Sequence, residues 1–116
     1  MVLRAEKDAG FLNSIEALRV QIDQVDSELL NLLGQRMGFA EEIGAYKKRN
    51  NIAILQTNRW SEILNSAVQK GRERGLSDEF VIQLLTAIHQ ESIRHQTLVM
   101  NAHEEQKEEA ALATAK

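Results

Sequence analysis

From Ile15 the apolar residues run Ile15, Leu18, Ile22, Val25, Leu29, Leu32, Phe39, Ile43 and Tyr46, and Arg36 occupies the one position of that series where a leucine is expected. Spacings of three and four predict a single amphipathic helix over about residues 12–48. Leu30, Leu33, Met37 and Ala40 add a flanking row, so the apolar face is wider than a two-position seam. Asn50 and Asn51 suit its C-terminus because asparagine tolerates the left-handed conformation. The IAIL run that follows reads as loop. Thr57 is the expected cap of a second helix with Trp60, Ile63, Leu64, Ala67 and Val68 on one face, ending at Gly75. Ser77, followed by Asp78 and Glu79, opens a third helix by hydroxyl capping and dipole complementarity. It turns Val81, Leu85, Ile88 and Val99 inward, with Ser92 and Gln96 on the same face. The pattern divides the chain into a linker-like segment, 1–11, an all-α three-helix domain, 12–100, and a charged, alanine-rich tail, 101–116.

The first helix would be about 55 Å long at ~1.5 Å per residue. A globule of this chain length has a radius of gyration of only about 13 Å. One chain cannot cover such a stripe, and a second copy can, which predicts an intertwined homodimer.

Composition agrees and narrows the chemistry. The 116 residues include no proline, six glycines and no cysteine, which favours long helices and excludes disulfides, thiolate catalysis and cysteine-ligated metal. With 14 basic and 17 acidic residues the net charge is −3, giving no global case for nucleic acid. No stretch approaches the ~20 apolar residues that span a bilayer, and nothing resembles a signal peptide, so a cytoplasmic protein is expected. His89 and His95 are six apart on one helix and His103 lies in the tail, so none forms a metal spacing and all three read as surface or satisfied residues.

What remains are polar residues on apolar faces: Arg36, Arg59, Ser92 and Gln96, with Lys47 one turn after Ile43. Singly, each has an ordinary explanation in snorkelling or pairing. Together they are donors or neutral groups without an acid, and an unpaired buried cation costs several kcal/mol, so they imply an anionic ligand. Arg59 stands in the first turn of its helix, where an anion would relieve its conflict with the dipole. A donor-lined pocket without base, nucleophile or phosphate loop can still catalyse a reaction governed by conformation and charge separation.

The run "LRVQIDQVDSELLNLLGQRMGFAEEIGAYKK" resembles the opening helix of the all-helical chorismate mutases, through its leucine-arginine pair, I-D-x-x-D, L-L-x-x-R and I-G-x-x-K. The likeness continues through "ILQTNRWSEIL" and "AIHQESIRHQ", over about residues 15–98. It implies rearrangement of chorismate to prephenate, in aromatic amino-acid biosynthesis, with no cofactor, no metal and no covalent intermediate. By the same resemblance, Arg19 reaches across the dimer to a substrate carboxylate, and Arg36, helped by Ser92, holds the other. Lys47 binds a carboxylate and the ether oxygen, Gln96 donates to that oxygen, and Arg59 supports the arrangement. Many relatives carry acids where this chain has Gln56 and Trp60, so recognition of the ring hydroxyl is expected to differ and to rest on Gln56. Residues 1–11 resemble the linker that follows DAHP synthase in bifunctional proteins. Two other readings use the same scaffold: a non-catalytic regulatory or binding module of a shikimate-pathway synthase, indifferent to loss of Lys47 and Gln96, and an isochorismate-pyruvate lyase, disfavoured by that same pair.

Overall fold

The computed structural model describes the backbone of residues 2–115 and the side chains of residues 14–102 and Leu112. Three helices follow one another: α1, Val2–Arg49; α2, Thr57–Glu73; α3, Asp78–Ala115. Among the described residues there is no strand, and the class is all-α. No helix is long and apolar enough to cross a membrane, again among the described residues.

Both outer helices exceed their expected bounds, α1 starting at Val2 and α3 running to Ala115. Apolar periodicity marks only where a helix has something to pack against, whereas runs rich in Ala, Glu, Lys, Arg and Leu stay helical without it. His103 falls outside the described side chains.

The turns follow local chemistry. Asn51 adopts φ 56°, Asn50 Nδ2 donates to the Tyr46 carbonyl at 2.8 Å and the Ile52 amide to that of Lys47 at 2.8 Å, closing α1. Residues 52–56 are loop, as IAIL suggests. The N-cap of α2 is Gln56 rather than Thr57, in extended conformation and with no side-chain cap bond; Thr57 is already the first helical residue. At the other end Gly75, at φ 76°, gives its amide to Arg72 while the Leu76 amide reaches Gly71, a Schellman closure that needs the left-handed residue. Ser77 Oγ accepts the Phe80 amide at 3.2 Å and caps α3.

The chain divides into two compact units, residues 1–36 and 37–116. In the first, the apolar stripe of α1 is solvent-facing: Leu18, Ile22, Val25, Leu29 and Leu32 are 48–62% exposed. In the second, the end of α1, α2 and α3 pack together. Ala40, Val81, Ser92 and Gln96 are buried, and Trp60, Ile63, Leu64, Ala67, Val68, Leu85 and Ile88 half-buried, as their spacing predicts. Two glycines set close approaches there. A Cβ on Gly71 would lie 2.6 Å from Val81 Cγ2, and one on Gly44 would lie 2.9 Å from Gln96 Cα.

Candidate active site

The polar centre of the second unit forms where α1 touches α3 at Gly44 and Gln96. One turn after Gly44, α1 presents Lys47, whose Nζ donates to Gln96 Oε1 at 3.1 Å and to the Ile54 carbonyl at 2.8 Å. Gln96 Nε2 donates in turn to Ser92 Oγ at 3.3 Å, one turn earlier on α3. Gln96 is 7% and Ser92 9% exposed. Burial pulls the Lys47 pKa below the ordinary lysine value, the mark of an ammonium held from water without a carboxylate to answer it. An ammonium carries three donors and two are used, so the third remains for a ligand, as does one N–H of the Gln96 amide.

Beside this centre lies a cavity of about 650 Å³ walled by Phe39, Ile43, Tyr46 and Ile52, with Glu42, Lys47 and Gln56 supplying its polar groups. That is the usual composition of a small-molecule site: apolar walls and a few fixed polar groups. Gln56 thus shares the cavity with Lys47. Trp60 does not line it and instead stacks on His89, ring centroids 4.2 Å apart at 19°.

Three further cations are candidates from the sequence. Arg59, expected to point inward, is exposed and pairs with Glu62 at 3.6 Å, because both stand on the outer side of the first turns of α2. In the first unit Arg19 is exposed and pairs with Glu16 at 2.7 Å. Arg36 is half-buried and, among the described residues, has neither hydrogen bond nor ion pair. Among the described residues no cluster of His, Asp and Glu could hold a metal.

Sequence reasoning did not find three features of the site. The Ile54 carbonyl is backbone and carries no side-chain signal. Gly44 was visible as an isolated glycine in a helical pattern, which often marks a close approach. His95 is satisfied, as its position suggests, but spacing does not show that one of its partners lies on another helix: Nδ1 lies 2.8 Å from Glu41 Oε1 on α1 and Nε2 3.0 Å from Glu91 Oε1 on α3.

Comparison with known proteins gives the same direction. Residues 18–97 match the model of the family described as chorismate mutase type II. The 4-amino-4-deoxychorismate mutase of Streptomyces venezuelae is 29% identical over 89 residues, 77% of this chain and 86% of that protein. A bifunctional chorismate mutase/prephenate dehydratase of Buchnera aphidicola is 30% identical over 84 residues, covering 72% of this chain and 22% of the relative. The T-protein of Enterobacter agglomerans is 32% identical over 78 residues, 67% of this chain and 21% of the relative. The chain thus spans most of the first relative and about a fifth of the two others. With the family's match running from the exposed stripe of α1 through the Lys47–Gln96 centre, the chain belongs to the chorismate mutase type II family and is an isomerase of that kind.

Proposed function

We propose that this chain rearranges chorismate to prephenate by holding the substrate compact and stabilising its ether oxygen with Lys47 and Gln96. The observation that carries this reading is the half-buried Lys47 ammonium 3.1 Å from the buried Gln96 amide, at the wall of an apolar cavity. In such a rearrangement the carbon–oxygen bond breaks ahead of carbon–carbon bond formation, so negative charge grows on the ether oxygen. Fixed donors aimed there bind the transition state more tightly than the substrate, the only binding that accelerates a step. No proton transfer is required, which suits a site built from an ammonium, an amide and a hydroxyl. Chorismate is a dianion, so the carboxylates fall to the cations: Arg36, which has no partner among the described residues, with Ser92 for one, and Arg19 of a second copy for the other. Arg59 would exchange Glu62 for a supporting place at the site.

The dimer enters through the first unit. Five large apolar side chains about half exposed along one stripe would each contribute roughly 0.7–1.5 kcal/mol on burial of the remainder, and a second α1 offers the same stripe in return. Residues 1–11 would join this domain to a DAHP synthase. That proposal rests on their likeness to such linkers and on relatives in which the mutase is one part of a longer bifunctional chain.

A second substrate is favoured by one observation: the cavity is lined by the neutral Gln56 and a single acid, Glu42, and a relative covered over 86% of its length is named for 4-amino-4-deoxychorismate. Turnover of both compounds, followed by absorbance with the product identified by NMR, tests the whole reading. Prephenate formed from chorismate by the wild type and not by Lys47→Ala supports it. Turnover of the amino compound alone moves the substrate, and turnover of neither by a folded dimer removes the enzyme reading.

A further inference from the structure

Three contacts between α1 and α3 follow one another at single-turn intervals. Gly44 is the central one, where a Cβ would lie only 2.9 Å from Gln96 Cα, so the helices meet this closely only because the residue has none. Three residues later Lys47 meets Gln96 Oε1. Three residues earlier Glu41 meets His95, the immediate neighbour of Gln96 on α3.

His95 is flanked by carboxylates on both edges, Glu41 from α1 and Glu91 from its own helix, and its side chain is 22% exposed. Only the imidazolium can donate from both ring nitrogens; a neutral ring would set a lone pair against one carboxylate. Glu91 is fixed as an anion by Arg94, which donates to it from Nε at 3.0 Å, and this contact, with a lesser contribution from His95, holds its pKa below the usual carboxylate range. The ring is therefore oriented from behind by Glu91 and grips Glu41 in front.

We propose that the Glu41–His95 tie is a positioning device for the reaction: it fixes how α1 seats on α3 and thereby aligns the Lys47 ammonium with the Gln96 amide. A glycine contact alone sets how close two helices come but leaves them free to slide or rotate about the point of touch. A second hydrogen bond one turn away removes that freedom, because the Lys47–Gln96 pair on one side of Gly44 and the Glu41–His95 pair on the other give two fixed points on a rigid rod. Neither Glu41 nor His95 touches the cavity, so the tie acts on alignment and leaves the carboxylate contacts alone. Displacements well under an ångström at a reacting centre are costly, so the loss appears in kcat.

The inference rests on the mutase reading above, and its test separates the two. His95→Gln, Glu41→Gln and the double variant are prepared with the wild type, checked for helicity and oligomeric state, and assayed in one common buffer. Each single variant is expected to lower kcat roughly tenfold with KM within about twofold, and the double variant to be no worse than either single one, as for two groups acting through one contact. His95→Arg, which keeps a cation between the carboxylates, restores most of kcat. The side-chain amide resonance of Gln96 shifts in both single variants without substrate present. Wild-type kcat in either single variant, losses that multiply in the double variant, KM rising in step with the fall in kcat, or an unmoved Gln96 resonance would each overturn the proposal. If the wild type itself turned over no substrate, the mutase reading would fall, and the Gln96 resonance would still decide the tie.

Discussion

Residues 14–36 and the unit that follows at Met37 are built from the same helical period and use it in opposite ways. The second unit packs the end of α1 with α2 and α3, burying Ala40 and Val81 while Phe39, Ile43 and Tyr46 stay open as walls of the cavity, and places its polar exceptions, Lys47, Ser92 and Gln96, where they satisfy one another. The first leaves Leu18, Ile22, Val25, Leu29 and Leu32 facing solvent, with Arg36 half-buried and without a partner among the described residues. The difference teaches that a stripe of good periodicity says a face will be covered, and only the length of chain able to fold back says by what.

The strongest way to break this contrast is a charge in the exposed stripe. Leu29→Asp is expected to abolish dimers in sedimentation and to lower the melting temperature sharply, since a buried unpaired carboxylate costs several kcal/mol. An unchanged sedimentation profile would mean the first unit is not covered by a second copy.

Next comes the self-satisfied centre. Lys47→Ala should reduce kcat by about 10²–10³, equivalent to ~3–4 kcal/mol, as for loss of one oriented donor, with circular dichroism near that of the wild type. Its pH dependence sharpens the point. Burial lowers the Lys47 pKa, so the free protein loses its ammonium below the ordinary lysine range as pH rises, and bound dianion restores it. The alkaline fall in kcat/KM should therefore begin at lower pH than the fall in kcat; coincident limbs would remove Lys47 from contact with substrate.

The glycines give a smaller, paired comparison. Gly44→Ala should destabilise by about 1–3 kcal/mol because its Cβ would meet backbone at Gln96 Cα. Gly34→Ala, with nothing within 4 Å, should be neutral or stabilising by up to about 1 kcal/mol in chemical denaturation. A cost at Gly34 would place a partner against that side of α1 as well.

Smallest is the surface pair Arg72–Asp78, which joins the end of α2 to the start of α3 at 2.6 Å. The hydrogen bond from Arg72 depresses the Asp78 pKa, so its contribution is present above the ordinary aspartate range and lost as pH falls through the folded value. Asp78→Asn should accordingly shift the melting temperature slightly at neutral pH and not at all in strong acid.

Much of this could be read in the sequence. The three helices, the Asn51 and Gly75 closures and the Ser77 cap are local chemistry, and local chemistry is written in adjacent residues. Ser92 and Gln96 were visible as polar breaks in an apolar face. Thr57 as cap failed because the extended backbone needed at that position fell one residue earlier, on Gln56, whose side chain makes no cap bond. Arg59 seemed inward by its spacing from Ile63 and Ala67, but a first-turn arginine with Glu62 one turn on finds its partner in solvent. The Glu41–His95 tie joins residues 54 apart and depends on how two helices cross, which no window of sequence contains.

The Ile54 carbonyl that receives Lys47 belongs to the connection, residues 50–56, between α1 and α2. Because that acceptor is a backbone atom, any side chain at position 54 supplies it equally well. An inserted or deleted residue would instead carry it away from Nζ. Connecting loops ordinarily tolerate changes of length better than the elements they join. Here the reverse holds at position 54, which is free in composition while the segment around it is restricted in count.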